Sequence, residues 1–271
     1  MRRVIAICAA AVCAALVAAA PAAAEPAWAP AGTAPVHPGV QTFTEGAQCT
    51  SNFVFFDAAD DVYIGQAAHC SGTGEATSTD GCQSGTLPVG TQVEVDGAER
   101  PGTIAYSSWV TMQANGETDA DTCAFNDLAL IKLDPADHGK VNPSIPFWGG
   151  PTGLGATTAL GSKVLSYGNS SLRQGIEALS PKEGLSLGQT GGGWTHEVYT
   201  VTPGIPGDSG SAFIDRAGRA FGVLSTLQIA PRVGANGVSD LSHALAYMQA
   251  NGGPDVTLAQ GTEAFRGPLL P

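Results

Sequence analysis

The stretch "PGIPGDSGSAFID", residues 203–215, joins a turn rich in glycine and proline to a run of apolar residues. Gly207 and Gly210 flank Asp208 and Ser209, and because glycine lacks a side chain the backbone there can turn sharply and a substrate can come close. The backbone N–H groups of Gly207 and Ser209 can then face one concavity, as an oxyanion hole requires. The letters Gly-Asp-Ser-Gly alone are typical of a plain turn, so a chemical role for Ser209 depends on partners elsewhere in the chain.

The first 24 residues are typical of a secretory signal peptide rather than of a membrane anchor. Two arginines precede an apolar run at residues 4–20, and the alanines at 22–24 form a cleavage site. We therefore expect cleavage after Ala24 and secretion of the remaining chain to the extracellular space. No later stretch is long and apolar enough to span a bilayer.

The 247 residues that follow position 24 suit one large all-β domain or two small ones. They carry 24 acidic and 10 basic side chains, a net charge of −14, which argues against a nucleic-acid partner and favours a dispersed, monomeric exported protein. Four cysteines remain in this part: Cys49, Cys70, Cys82 and Cys123. An even number in an exported protein predicts two disulfides, and three pairings are open.

The sequence predicts neither a metal nor another cofactor. No CxxC pair and no cluster of histidine and cysteine indicates zinc. The acidic stretches 57–61 and 117–121 lack the spacing of a calcium-binding loop, so we expect solvated turns there.

From residue 40 onward, short runs of β-forming residues alternate with Gly, Pro, Asn and Asp, which predicts an all-β chain with tight turns. The absence of βαβ spacing argues against a parallel α/β fold. One helix is predicted from "SDLSHALAYMQANGG", with Ser239 or Asp240 as its cap and Gly252 near its end.

The composition divides the chain at several boundaries. A break at 143–154 acts as a linker between two antiparallel β units, 40–142 and 155–250. Residues 25–39, rich in Pro and Ala, predict a linker or a short pro-segment. The structure of the tail, 251–271, is left open.

A nucleophilic serine needs a base and an acid that orients the base. His69, in "GQAAHC", is the strongest of five histidines, because a disulfide at Cys70 would fix the backbone beside the imidazole. Asp127 lies at the start of a predicted strand and is the candidate acid, with Asp121 and Asp134 as competitors. The other histidines are His37 in the Pro-rich stretch, His138 in a turn, His196 at the start of a strand and His243 on the helix.

The segments "AAHC", "NDLALIKL" and "PGDSGSAF" occur in the order His, Asp, Ser and resemble the chymotrypsin/trypsin-like serine peptidases, in particular their secreted bacterial branch. The resemblance covers residues 40–250. It implies two six-stranded antiparallel β-barrels packed together, one C-terminal helix and the Ser-His-Asp mechanism of that family.

The resemblance also implies a role for each site residue. His69 is the general base and then the general acid, Asp127 orients it, and Ser209 is the nucleophile. Gly207 and Ser209 supply the oxyanion N–H groups. Ser225 supports Asp127 and starts the strand along which the substrate backbone lies. The implied disulfides are Cys49–Cys70 around the histidine and, from the two cysteines left, Cys82–Cys123.

Three departures from the family pattern matter. Ser211 stands where the family has a second glycine after Gly-Asp-Ser-Gly, and we expect no effect on the chemistry. No "IVGG"-like start lies near residue 40, so the partner of Asp208 and any activation by cleavage stay open. Pro203 replaces the acid of trypsin-like members, and Leu227, with Leu224 nearby, narrows the predicted specificity pocket. We therefore expect a preference for uncharged, small to medium apolar residues before the cleaved bond.

The sequence thus predicts a secreted serine endopeptidase that acts on proteins or peptides through an acyl-enzyme at Ser209. The alternative is a catalytically inactive, peptidase-like binding module. An esterase of another fold would need a G-x-S-x-G elbow with Asp and His after the serine; "GDSGS" has no glycine two residues before Ser209, and His69 and Asp127 precede it.

Overall fold

The computed structural model describes residues 25–74, 78–156, 158–229 and 232–269, so the predicted signal peptide lies outside the described residues. The strands are β1 (Gln41–Thr44), β2 (Ala47–Thr50), β3 (Val54–Asp57), β4 (Val62–Gln66), β5 (Gln92–Val95), β6 (Gly102–Ser107), β7 (Ala129–Lys132), β8 (Lys163–Tyr167), β9 (Pro181–Thr190), β10 (Thr195–Thr200), β11 (Ala212–Asp215), β12 (Ala220–Leu227), β13 (Asn236–Asp240) and β14 (Val256–Leu258). The helices are α1 (Ser108–Asn115), α2 (Ala120–Phe125) and α3 (Leu241–Ala250).

The strands form two antiparallel sheets. Strands β8 to β13 close into a six-stranded barrel in the order β10-β13-β12-β11-β8-β9. The other eight strands form a sheet in the order β14-β3-β4-β7-β6-β5-β1-β2. The mostly β architecture agrees with the prediction.

The prediction of two six-stranded barrels is right for the second unit and wrong for the first. Residues 256–258 of the tail add β14 to the edge of β3, and among the described residues no ladder joins β14 to β2. The outer strand β2 instead contacts the Ser209 turn, where Thr50 N donates to Ser209 O at 2.8 Å. The first unit is therefore an open sheet that gains its edge strand β14 from the tail and contacts the Ser209 turn at its other edge.

The expectation of a single helix is correct for α3 and incomplete elsewhere. Asp240 caps α3 by accepting a hydrogen bond from His243 N, and Leu241, Ala244 and Met248 are buried. Two further short helices, α1 and α2, lie between β6 and β7. They occupy the segment that leads to Asp127, so they determine where that residue enters the site.

Each sheet encloses its own apolar core, and a third cluster lies between them. Phe213, Phe221 and Val238 are among the buried residues of the barrel, and Ile64 and Ile104 are among those of the open sheet. The shared cluster includes Trp148, Leu165, Leu130, Ala212 and Met248. Because this cluster joins the two sheets, residues on their facing edges are held in a fixed relative position.

The segment 25–39 packs on the first sheet. Ala29 N donates to Val141 O at 2.9 Å, and Val36, which is fully buried, forms a parallel bridge with Val141. The Trp28 ring lies edge-on to Phe56, with 6.2 Å between the ring centroids. These contacts make residues 25–39 part of the first folded unit.

Candidate active site

His69 lies in a 3₁₀ turn, Ala68–Ser71, that follows β4. Its Nδ1 is 2.7 Å from Oδ2 of Asp127, and its backbone N–H donates to Oδ1 of the same carboxylate at 2.9 Å. Because an ionised carboxylate only accepts, Nδ1 carries the proton and Nε2 is the basic nitrogen. The side chain is 22% exposed, so part of the imidazole faces solvent.

Asp127 is buried at the point where α2 leads into β7. Ser225 Oγ donates to its Oδ2 at 2.6 Å. Burial by itself raises the pKa of the Asp127 carboxyl, but the charge of His69 and the hydrogen bonds from His69 and Ser225 outweigh it and lower that pKa. Asp127 is therefore ionised, and it fixes the orientation of the imidazole.

Asp127 in turn changes the pKa of the His69 imidazole. Burial lowers the pKa of the imidazole, but the charge of Asp127 and its hydrogen bond act in the opposite direction, and the net shift is upward. A raised pKa favours the imidazolium form that a general base reaches after it accepts a proton.

The turn that carries Ser209 lies between the two sheets. Gly210 N donates to Leu224 O at 2.7 Å on β12, next to Ser225. Gly210 has φ +90°, and a Cβ there would lie 2.9 Å from Ala67 N, two residues before His69. Within the described residues Ser209 Oγ makes no hydrogen bond to His69, and such contacts are often long in the absence of substrate.

Two backbone N–H groups of this turn have no acceptor among the residues that the structure describes: those of Gly207 and Ser209. The intervening Asp208 N–H donates to Ile205 O at 2.8 Å, and the following Gly210 N–H is bonded to β12. An oxyanion hole requires two such unpaired donors.

Asp208 has two cationic partners. Its Oδ2 lies 3.0 Å from Nζ of Lys182 and 3.0 Å from a guanidinium nitrogen of Arg173. Backbone N–H groups of Ser170 and Ile205 also donate to the carboxylate. Burial lowers the pKa of Lys182, an effect that the charge of Asp208 only partly offsets.

The predicted specificity pocket is crossed by a side chain that the sequence reasoning missed. Asn236 is buried, accepts from Gly204 N at 2.8 Å, and donates to Gly204 O and Thr226 O at 3.1 Å each. It thereby ties the segment after Pro203 to β12. A Cβ on Gly204 would lie 2.6 Å from Leu224, so the segment after Pro203 packs directly against the Leu224 side chain.

The remaining predicted pocket residues take different positions. Leu224 is buried with the barrel core, Leu227 is 42% exposed at the end of β12, and the Pro203 carbonyl accepts from Arg173 at 2.7 Å. The guanidinium behind Pro203 was not anticipated.

Both implied disulfides are present in the structure. Cys49–Cys70 joins β2 to the His69 turn, and Cys82–Cys123 holds α2, four residues before Asp127. Two groups of possible metal ligands occur among the described residues, Cys49-His69-Cys70 and Asp80-Cys82-Cys123. Each contains a disulfide, which removes two thiolates from the donor set.

Three solved structures share this architecture. Thermobifida fusca protease A has a TM-score of 0.54 and 16% identity, covering 83% of this chain and 99% of its own. Nocardiopsis protease (0.51, 17%, 82% and 98%) and a chymotrypsin from Cellulomonas bogoriensis (0.51, 17%, 83% and 98%) are similar. This chain has the trypsin-like protease fold. No family model matches the sequence, and no curated protein sequence matches it.

The competing histidine and aspartate candidates have other partners. His196 is buried in the barrel, where its Nε2 is 2.8 Å from Asp240, and His243 contacts the other oxygen of Asp240. Asp121 lies in the first turn of α2, and Asp134 caps a 3₁₀ turn after β7. Among the described residues the imidazoles of His37 and His138 contact the backbone carbonyls of Pro38 and Leu133.

No helix among the described residues is long and apolar enough to cross a membrane.

Proposed function

We propose that this chain is a serine endopeptidase that hydrolyses peptide bonds through an acyl-enzyme at Ser209. The observation that carries the proposal is the hydrogen-bonded series from Ser225 through Asp127 to His69, which lies beside the turn of Ser209. The trypsin-like fold and the two unpaired N–H groups of that turn support it.

In the proposed reaction Ser209 Oγ attacks the substrate carbonyl carbon while its proton passes to Nε2 of His69. The N–H groups of Gly207 and Ser209 stabilise the oxyanion, and Asp127 stabilises the imidazolium. Collapse breaks the C–N bond, His69 returns the proton to the leaving amine, and a water molecule repeats the sequence to release the acid and Ser209.

The proposed substrate is an extended segment of a protein or peptide. The pairing of β12 with β11 ends at Leu224, which leaves Ser225–Leu227 with one open edge for substrate backbone. Beside this edge Asn236 ties Gly204 to Thr226, and a Cβ on Gly204 would lie 2.6 Å from Leu224. We therefore propose a preference for small, uncharged residues before the cleaved bond, at the smaller end of the range that the sequence predicts.

We propose that the protein is secreted and acts as a monomer outside the cell. The predicted signal peptide supports export, and two disulfides are typical of proteins that fold in an oxidising compartment.

The alternative proposal is a peptidase-like binding module. It is favoured by one observation, the lack of a hydrogen bond between Ser209 Oγ and His69 within the described residues. Such a module would bind peptides along β12 without cleaving them.

A phosphonylating probe distinguishes the two proposals. We expect mass spectrometry to find the label on Ser209, and Ser209→Ala to lower kcat for a chromogenic alanyl peptide anilide by a factor on the order of 10⁶. Ser171→Ala, which changes an exposed serine of the neighbouring loop, is the matched control and keeps full activity. An unlabelled Ser209 in a folded protein that binds but does not cleave peptides would instead identify a binding module.

A further inference from the structure

Two buried serine hydroxyls lie behind the turn that carries Ser209. Ser170 is 2% exposed and donates from Oγ to the carbonyl of Pro206 at 2.6 Å. Ser211 is fully buried and donates from Oγ to the carbonyl of Asp208 at 2.5 Å. Neither hydroxyl takes part in the reaction steps above.

Each of these carbonyls belongs to a peptide group whose N–H is one of the two unpaired donors. The peptide of Pro206 contains the N–H of Gly207, and the peptide of Asp208 contains the N–H of Ser209. In a trans peptide the C=O and N–H point in opposite directions, and among the described residues the only cis bond is Gly150–Pro151. A hydroxyl that binds the carbonyl oxygen on the buried side of the turn therefore directs the N–H of the same peptide away from the fold.

The intervening peptide, formed by the Gly207 carbonyl and the Asp208 N–H, has no unpaired group. The Gly207 carbonyl accepts from Gln48 Nε2 at 2.9 Å and from Thr50 Oγ1 at 2.7 Å, while the Asp208 N–H donates to Ile205 O. Both of its polar groups are satisfied within the fold. The two unpaired N–H groups thus belong to the two peptides whose carbonyls are held by serine.

An anchor is needed because the backbone of this turn has other conformations available. Gly207 has φ +92°, a value that glycine adopts together with many alternatives, so the 206–207 peptide can rotate at little cost. Rotation would turn the Gly207 N–H away from a substrate. The hydrogen bond from Ser170 opposes this rotation.

The anchors are themselves fixed. Ser170 N donates to Oδ1 of Asp208 at 3.0 Å, and Ser170 Oγ accepts from Leu172 N at 3.2 Å. Ser211 N donates to Asp208 O at 3.1 Å, and Ser211 O accepts from Leu224 N at 2.9 Å. Each hydroxyl therefore has one defined position from which it contacts its carbonyl.

We propose that Ser170 and Ser211 are positioning residues that hold the two oxyanion-binding N–H groups toward the substrate. This proposal rests on the proposed peptidase function. The proposal gives a role to Ser211, which stands where the family that the sequence resembles has a glycine. The hydroxyl at this position adds an anchor that a glycine cannot supply.

The experiment measures kcat and KM for the alanyl peptide anilide, and Ki for the matching peptide aldehyde, in Ser170→Ala and Ser211→Ala. An aldehyde adds to Ser209 Oγ and places its oxygen in the oxyanion hole, so its affinity reports on the two N–H groups. We expect kcat to fall about tenfold and aldehyde Ki to rise by a similar factor, with KM changed less than twofold. Deleting one donor outright costs about 10²- to 10³-fold, which sets the upper limit.

Ser166→Ala is the matched control, because Ser166 is a fully buried serine of the same barrel whose hydroxyl has no hydrogen-bond partner among the described residues. It should leave kcat and Ki unchanged. Ser170→Thr restores a hydroxyl and should recover most of the lost kcat, which a general loss of folding at Ser170→Ala would not predict.

The outcomes separate this proposal from the proposed function. If the wild-type protein hydrolyses the anilide while both alanine variants keep its kcat and Ki, the positioning role is wrong and the peptidase function stands. The role is also wrong if kcat falls without any change in aldehyde Ki. If the wild-type protein is not labelled at Ser209 and does not cleave the anilide, the function itself is wrong.

Discussion

The ammonium nitrogen of Lys182 lies 3.0 Å from Oδ2 of Asp208, and neither side chain has any exposed surface. Asp208 directly precedes Ser209, so this ion pair lies behind the proposed nucleophile. In many members of the family that the sequence resembles, a newly formed amino terminus pairs with this acid. Here the acid pairs with an internal lysine on β9 and with Arg173.

Lys182→Met should lower the free energy of unfolding and kcat together. Removing one partner of a buried ion pair leaves a buried charge with less compensation and costs about 3 kcal/mol. Urea unfolding with parallel kinetics measures both effects. Arg266→Met is the control, since its pair with Glu263 is exposed and 3.9 Å long and contributes less than about 1 kcal/mol. Equal unfolding free energies for both variants would show that Asp208 does not depend on Lys182.

A protein with additional residues before Glu25 should keep its kcat. The cations that face Asp208 are internal, and the segment that contains Trp28 and Val36 already packs on the first sheet. The test compares active-site titration and kcat of the extended and the unextended protein. Activity that appears only after the extension is removed would indicate activation by cleavage.

Local patterns produce the predictions for the parts of the site whose signals lie within a few residues. The Gly-Asp-Ser-Gly turn indicates Ser209, a histidine beside a cysteine indicates His69, and the acid is narrowed to three candidates, of which Asp127 lies at the start of a strand. Asp240 as a helix cap is a similar case, because the preference rests on the backbone N–H groups that follow it.

Contacts between distant segments could not be read from the sequence. Strands β9 and β10 separate Lys182 from Asp208 along the chain, so no local pattern links the two residues. In addition, lysine usually lies in solvent, so its burial is not expected from the sequence. The pairing of β14 with β3 joins segments about 200 residues apart, so no local pattern predicts that the first sheet has eight strands. Asn236 was missed because its role depends on the register between β12 and β13, which brings it beside Leu227.

The activity should rise with pH through the pKa of His69, with a midpoint above the ordinary value of 6.5. The base acts when neutral, and Asp127 favours the protonated form, so the midpoint shifts upward. The stability of the fold depends on pH in the opposite direction. The ion pair between His69 and Asp127 stabilises the fold below pH 6.5, and this contribution is lost as the pH rises through the raised pKa of His69.

A pH profile of kcat/KM measures this midpoint. Asp127→Asn should lower kcat by a factor of about 10⁴ and remove the upward shift. His138→Gln, which changes a histidine in a distant 3₁₀ turn, should leave the profile unchanged. A rate that stays flat down to pH 4 would exclude a histidine base.

Asn236→Gly should shift the preference before the cleaved bond toward larger side chains. The amide of Asn236 ties Gly204 to Thr226, and its removal frees space between Pro203 and Leu227. Room for one methylene more or less in an apolar pocket changes selectivity by about 10- to 200-fold. We therefore expect the kcat/KM ratio of leucyl over alanyl anilides to rise at least tenfold. Ile229→Ala, at a residue 82% exposed in the adjacent loop, should keep the ratio of the wild type. If Asn236→Gly also keeps that ratio, the limit on side-chain size lies with Leu224 and Leu227 instead.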